Sequence, residues 1–230
     1  MHTVKSPGRS GRCSLGIGVV LTVLVCGPAI AAPTLSVPLR SRVVIPDVPG
    51  RFSVVCEEQQ WDPCDVAIII CDMWDRHWCK GATERVAELA PVINRVVSTA
   101  RDMGVLIVHA PSDTIEHYKD HPARRKASEA PKAANPPKAV RSWRQWKDDA
   151  EKAAGYPIDH SDGGCDCEPR CKEASLWTCQ IGAIRIGESD AISDSGAEVW
   201  DLLESRGIEN VILMGVHTNM CVLGRPFGLR

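Results

Sequence analysis

Residues 211–222 read VILMGVHTNMCV. Four apolar residues make a short buried strand, Gly215 breaks it, and Thr218 is placed to cap a following helix. Cys221 then falls in the first turn of that helix, over the carboxyl end of the strand. A thiol there meets the positive end of a helix dipole and unpaired backbone N–H groups, and both favour the thiolate. Such a cysteine is placed to act as a nucleophile, with the same N–H groups holding a developing oxyanion. The plainer reading is a small side chain packed where helix meets strand.

Upstream, residues 66–71 (VAIIIC) are a continuous apolar run, the pattern of a strand buried on both faces of a parallel sheet, and Asp72 ends it. A helix is predicted over 83–103: Thr83 caps it, and Val86, Leu89, Ala90, Ile93, Val97 and Ala100 recur at helical spacing. Pro91 is a kink site and Gly104 a stop. Residues 105–109 give a second strand, so 66–110 is a right-handed β-α-β unit. A third strand is predicted at 183–186, a helix at 194–206 closed by Gly207, and a fourth strand at 210–214. This alternation predicts a three-layer α/β fold with a mostly parallel, Rossmann-like sheet in the order 3-2-1-4. Ligands in open α/β sheets bind where the strand order reverses, which brings Asp72 and Cys221 to one crevice.

The 230-residue chain is long enough for one domain with a sizeable core, and its net charge of −2 provides no field for nucleic acid. Lys5, Arg9 and Arg12, an apolar run over 15–25 and the Ala29-Ile30-Ala31 site read as a cleaved secretory signal at 1–32. The apolar run is too short to span a bilayer comfortably. The expectation is a periplasmic or secreted protein with no membrane span once mature, acting on a small molecule and free to form a homo-oligomer. Residues 33–60 form a predicted β-hairpin, with strands at 39–45 and 51–56 around Asp47-Val48-Pro49-Gly50, appended to the main sheet.

Residues 111–180 are a long polar insertion. Within it, 123–140 reads as a solvated or partly helical loop, and 141–154 as an amphipathic helix carrying Trp143 and Trp146. Asp113, His117 and His121 recur every four residues, and an Asp/His/His set suits zinc or iron; a hydrated loop is the alternative. Cys165, Cys167 and Cys171 form a CxC-x3-C cluster. In a reducing compartment it suggests zinc; after export, disulfide staples with Cys179 as a partner are expected. Seven of the eleven aromatic residues are Trp, and Trp74, His77 and Trp78 follow Asp72 where they would line the cleft.

With those residues placed, the chain resembles the isochorismatase-like cysteine hydrolases, which include nicotinamidases and N-carbamoyl amidases. The resemblance rests on AIIICDMWD at 67–75 and GVHTNMCV at 215–222, covers residues from about 65 onward, and makes 61–230 a hydrolase domain. It implies that Asp72 takes the proton of Cys221, that the thiolate attacks an amide carbonyl, and that water releases the acyl group. It also implies a cis peptide at Val216–His217 in the oxyanion loop, with amides of Met220 and Cys221 as donors. No cofactor is required, although metal-containing nicotinamidases draw ligands from the region of Asp113, His117 and His121. The family's lysine has no counterpart, since the last lysine is Lys172; Glu188 stands near its position, and Arg185 is the nearest cation. Family members continue for two further strands, so the chain reads as truncated. The alternative expectation is therefore a catalytically silent binding remnant.

Overall fold

The computed structural model describes residues 33–143, 153 and 163–229. The signal expected at 1–32 and all but a few residues of the helix expected at 141–154, including Trp146, lie outside them. In chain order the elements are β1 (Leu35–Val44), β2 (Phe52–Trp61), β3 (Val66–Cys71), α1 (Lys80–Asp102), β4 (Leu106–Ala110), α2 (Pro122–Ser128), β5 (Ala191–Ile192), α3 (Gly196–Ser205) and β6 (Asn210–Gly215). Short 3-10 turns connect some of them, and a π-helical turn over Thr218–Val222 follows β6.

Strands β3 to β6 form a four-stranded sheet in the order β5-β4-β3-β6, and every pairing is parallel. All of β3 is buried, and its alternate side chains feed two cores. Val66, Ile68 and Ile70 pack with Val86, Ala90, Ile93 and Val97 of α1. Ala67 and Ile69 pack on the other face with Ala127 of α2 and Val199 and Leu202 of α3. Helices thus cover both faces, the arrangement an apolar parallel strand requires, and each buried Ile or Val contributes about 2 kcal/mol. The result is an α/β fold.

Helix α1 begins three residues before the predicted cap. Cys79 is its N-cap, and the Thr83 hydroxyl sits inside the first turn, accepting from His77 N–H at 2.9 Å. The helix runs on through Pro91, and Leu89, expected in the apolar stripe, is 44% exposed. The third strand is not at 183–186. There Ile184 N–H turns back to Ile181 O at 3.1 Å and Arg185 N–H donates to Asn94 Oδ1 at 2.9 Å, so these amides are satisfied away from any ladder. The strand is instead β5, whose pairing with Val108 and His109 spans two residues, too few to carry a periodic signal. In α3, the Ser195 hydroxyl accepts from Glu198 N–H, the cap a helix start asks for.

The hairpin has longer strands than predicted and forms its own two-stranded sheet rather than extending the main one. A 3-10 turn over Pro63–Asp65, with Asp62 capping Cys64 N–H at 2.9 Å, separates β2 from β3. The root of the hairpin, Leu35 and Trp61, packs on the α1-side core. Among the described residues no helix is long and apolar enough to cross a membrane.

Candidate active site

The site is built where β6 turns over the tip of β3. Gly215 pairs with Cys71, and a Cβ at Gly215 would lie 2.0 Å from Cys71 O. With φ at +135°, that position admits only glycine. Val216 N–H bonds Cys71 O at 3.1 Å, which carries the following turn across Asp72.

Asp72 is fully buried and Cys221 is 3% exposed, and the charge of Asp72 acts on the Cys221 thiol. Asp72 Oδ1 accepts from Ser112 N–H at 2.8 Å, and Oδ2 from Arg225 Nε at 3.3 Å. Arg225 also reaches Asp113 Oδ2 at 3.4 Å and stacks 4.4 Å over Trp143. Among the described residues the Ser112 hydroxyl beside it is buried without a partner. Asp72, Asp113 and His217 are three of the four described non-glycine residues with positive φ, at +50°, +64° and +58°. Backbone strain of this kind gathers where surrounding contacts hold a functional geometry.

The electrostatics differ from the sequence expectation. Burial, followed by the charge of Asp72, raises the Cys221 pKa, while Arg225 opposes the rise. A neutral thiol, not a resting thiolate, faces the carboxylate. The expected helix dipole is small because the element carrying Cys221 is a five-residue π-helical turn, too short to align many peptide dipoles. Its N-cap is His217 rather than Thr218, with no side-chain capping bond. The Val216–His217 peptide is not cis: among the described residues only Glu168–Pro169 is, and the left-handed φ of His217 makes the bend instead. Met220 N–H donates to His217 O at 3.0 Å, so that amide is already engaged.

Beside Cys221 lies a cavity of about 260 Å³ lined by Trp74, His77, Val216, His217 and Thr218, among others. His217 joins the two, with Nδ1 at 3.7 Å from Cys221 Sγ. Trp74 stacks on Trp177 at 4.4 Å and meets His217 edge-on at 5.5 Å, while His77 stacks on Trp177 at 5.6 Å. Burial and the neighbouring His217 lower the His77 pKa to about 4. Burial also lowers that of His217, against the pull of Asp72. Trp78 packs on His77 at 5.0 Å, outside the cavity lining.

Arg185 and Glu188 do not join this site. The Arg185 carbonyl accepts from Arg101 of α1, and the Glu188 carbonyl accepts from Lys126 of α2. The cation here is Arg225 rather than a residue of the third-strand region; it lies beyond the nucleophile motif, where local pattern does not tie it to Asp72. Asp113, His117 and His121 are not gathered into a ligand set. Asp113 faces Arg225, His117 is exposed against Tyr118, and His121 caps α2 by accepting from Ala123 N–H at 3.1 Å. The group among the described residues that could hold a metal is Cys79, Cys165, Cys167 and Cys171, with sulfurs all within 4.8 Å of one another. None of the four is in a disulfide. Cys179, the expected disulfide partner, sits apart beside Thr178 and the Asp75 carboxylate.

No family model matches the chain, and a search of curated proteins finds no match.

Proposed function

We propose that the protein is an exported cysteine hydrolase that cleaves a small amide or related C–N bond through an acyl-enzyme. The observation that carries this reading is that Cys221 and Asp72 are both buried just beyond the carboxyl ends of the adjacent strands β6 and β3, with the Asp72 charge acting on the thiol and Arg225 Nε on Asp72 Oδ2 at 3.3 Å. Asp72 removes the thiol proton as Cys221 attacks the carbonyl, the C–S bond forms, and the C–N bond breaks as that proton passes to the leaving nitrogen. Water then attacks the thioester, with Asp72 again taking the proton, and releases the acid while restoring the thiol. Because the resting thiol is neutral, proton removal and attack occur together. Arg225, always charged, orients the carboxylate through Oδ2 but shuttles no proton. The aromatic walls and the cavity of about 260 Å³ favour a small planar substrate. Export is supported by the basic, apolar and small-residue sequence of the first 32 residues.

A second reading, a catalytically silent binding domain, is favoured by one observation: Cys221 is 3% exposed and does not line the cavity. A panel of small amides tested against the wild type, Cys221→Ala and Asp72→Asn separates the two. Hydrolysis by the wild type, an acyl mass adduct on the Cys221 peptide, and a loss of about a thousandfold in both variants support the hydrolase. Full activity in Cys221→Ala, or binding without turnover or adduct, overturns it.

A further inference from the structure

Apart from the Cys221 site, three cysteines at the end of the insertion meet a fourth from the main fold. Cys79 caps α1 and lies 88 residues before Cys167, with 3.8 Å between their sulfurs. A disulfide needs about 2.05 Å. A tetrahedral zinc tetrathiolate with Zn–S of about 2.3 Å has sulfur–sulfur edges of about 3.8 Å. All four sulfurs lie within 4.8 Å of one another, a spread that one ion contracts slightly and that two disulfides would have to split into pairs.

The surroundings suit an anionic cluster. Helix α1 is long, yet its N-cap side chain makes no capping bond. An amide of its first turn goes to sulfur instead: Gly81 N–H donates to Cys167 Sγ at 3.4 Å. The orphan donors and positive end of the helix therefore face the thiolates. The Arg85 guanidinium faces Cys79 and Cys167 while pairing with Asp166 at 2.5 Å. A Cβ at Gly81 would stand 3.6 Å from Cys167 Sγ and 3.2 Å from Asp166 Oδ1, so the loop closes on the helix where no side chain intervenes. Cys79 and Cys165 are buried, and Cys167 and Cys171 are half-buried.

We propose that Cys79, Cys165, Cys167 and Cys171 bind one structural zinc ion that clamps the returning end of the insertion to the N-terminus of α1. All four positions come from the protein, so no position is open for water or substrate, and the ion has no part in hydrolysis. Its consequence for the cavity is mechanical. Six residues beyond Cys171, Trp177 stacks on Trp74 and His77, so the clamp holds one aromatic wall in place. This inference stands whether or not Cys221 is a nucleophile.

The test uses the full chain purified without a thiol reductant. Elemental analysis should give a single zinc per chain, and replacement by cobalt(II) should give the visible d–d bands of a tetrahedral tetrathiolate. Chelator should shift tryptophan fluorescence as the Trp177 stack loosens. Cys171→Ser should weaken metal binding by at least about tenfold, while Cys56→Ser, at an exposed cysteine of the hairpin, should not. Should Cys171→Ser fail to fold, alkylation of the wild type decides: these four thiols should react only after chelation, with no reduction step. Cobalt spectra of octahedral or oxygen-ligated type, less than stoichiometric zinc after reconstitution, or two disulfides by mass would overturn the proposal.

Discussion

At the scale of residues, the candidate site is an argument about where a negative charge is held. Asp72 is fully buried, and an ionised carboxylate there needs the Ser112 amide and the Arg225 guanidinium at 2.8 and 3.3 Å. Removing one partner of a buried ion pair leaves the other charge uncompensated, which is costlier than losing both. Arg225→Met should therefore destabilise the fold by about 3 kcal/mol in urea unfolding. It should also push the Cys221 thiol further from ionisation, since Arg225 is the group that opposes its raised pKa. An unchanged urea midpoint would mean that Asp72 does not rely on this cation. Asp72 was legible from sequence as the carboxylate ending a buried apolar run. Arg225 was not, because it follows Cys221 by four residues and only the turn after β6 swings its side chain back over β3.

At the scale of elements, the site depends on one turn. Gly215 joins β6 to the π-helical turn with φ at +135° and pairs with Cys71 of β3. Gly215→Ala would place a methyl group 2.0 Å from Cys71 O, and the turn would have to shift. A loss of more than about 2 kcal/mol is expected, together with separation of Cys221 from Asp72. Thermal melts read the first effect, and the reactivity of Cys221 toward a small alkylating reagent reads the second; a variant as stable as the wild type would show that the turn has room to relax. The break at Gly215 was visible in the sequence. The cis peptide expected beside it was not realised, since a left-handed His217 produces the bend with a trans bond. Helix α1 and strands β3, β4 and β6 lie within a few residues of their predicted bounds because each carries a clear apolar pattern. β5 was misplaced because two residues define no period.

At the scale of the whole molecule, stability should respond to acid in a set order. The folded-state pKa of His77 is lowered to about 4 by burial and by His217, and that of His217 is lowered as well. An unfolded histidine takes up its proton near pH 6.5, so the unfolded chain binds more protons than the folded one between about 6.5 and 4. Stability must fall as pH falls through that window. Asp190 and Glu198 have depressed pKa values: burial raises them, but hydrogen bonds from His109 and Arg101, and from Arg124 and Ser193, outweigh it. Their contribution is present above the ordinary carboxylate range and disappears as pH drops below it, so the same slope continues into stronger acid. Melting temperatures should be level near neutrality, decline from about pH 6.5, and fall further below about pH 4. A His77 NMR titration with a midpoint near 6.5 would remove the first part of that decline.

Local pattern alone determined that apolar runs become buried strands, that the period of 86–100 becomes α1, and that Asp72 and Cys221 follow strands of one parallel sheet. Those outcomes depend on side-chain periodicity and turn chemistry, which act over a few residues and can be read from them. Tertiary structure alone decided that Cys79 joins Cys165, Cys167 and Cys171, that Arg225 supplies the cation, and that Asp113, His117 and His121 part company. Such meetings link positions far apart in the chain or on opposite sides of a bend. Only packing of the sheet and return of the insertion fix their distances, and burial then sets the charge each group can carry.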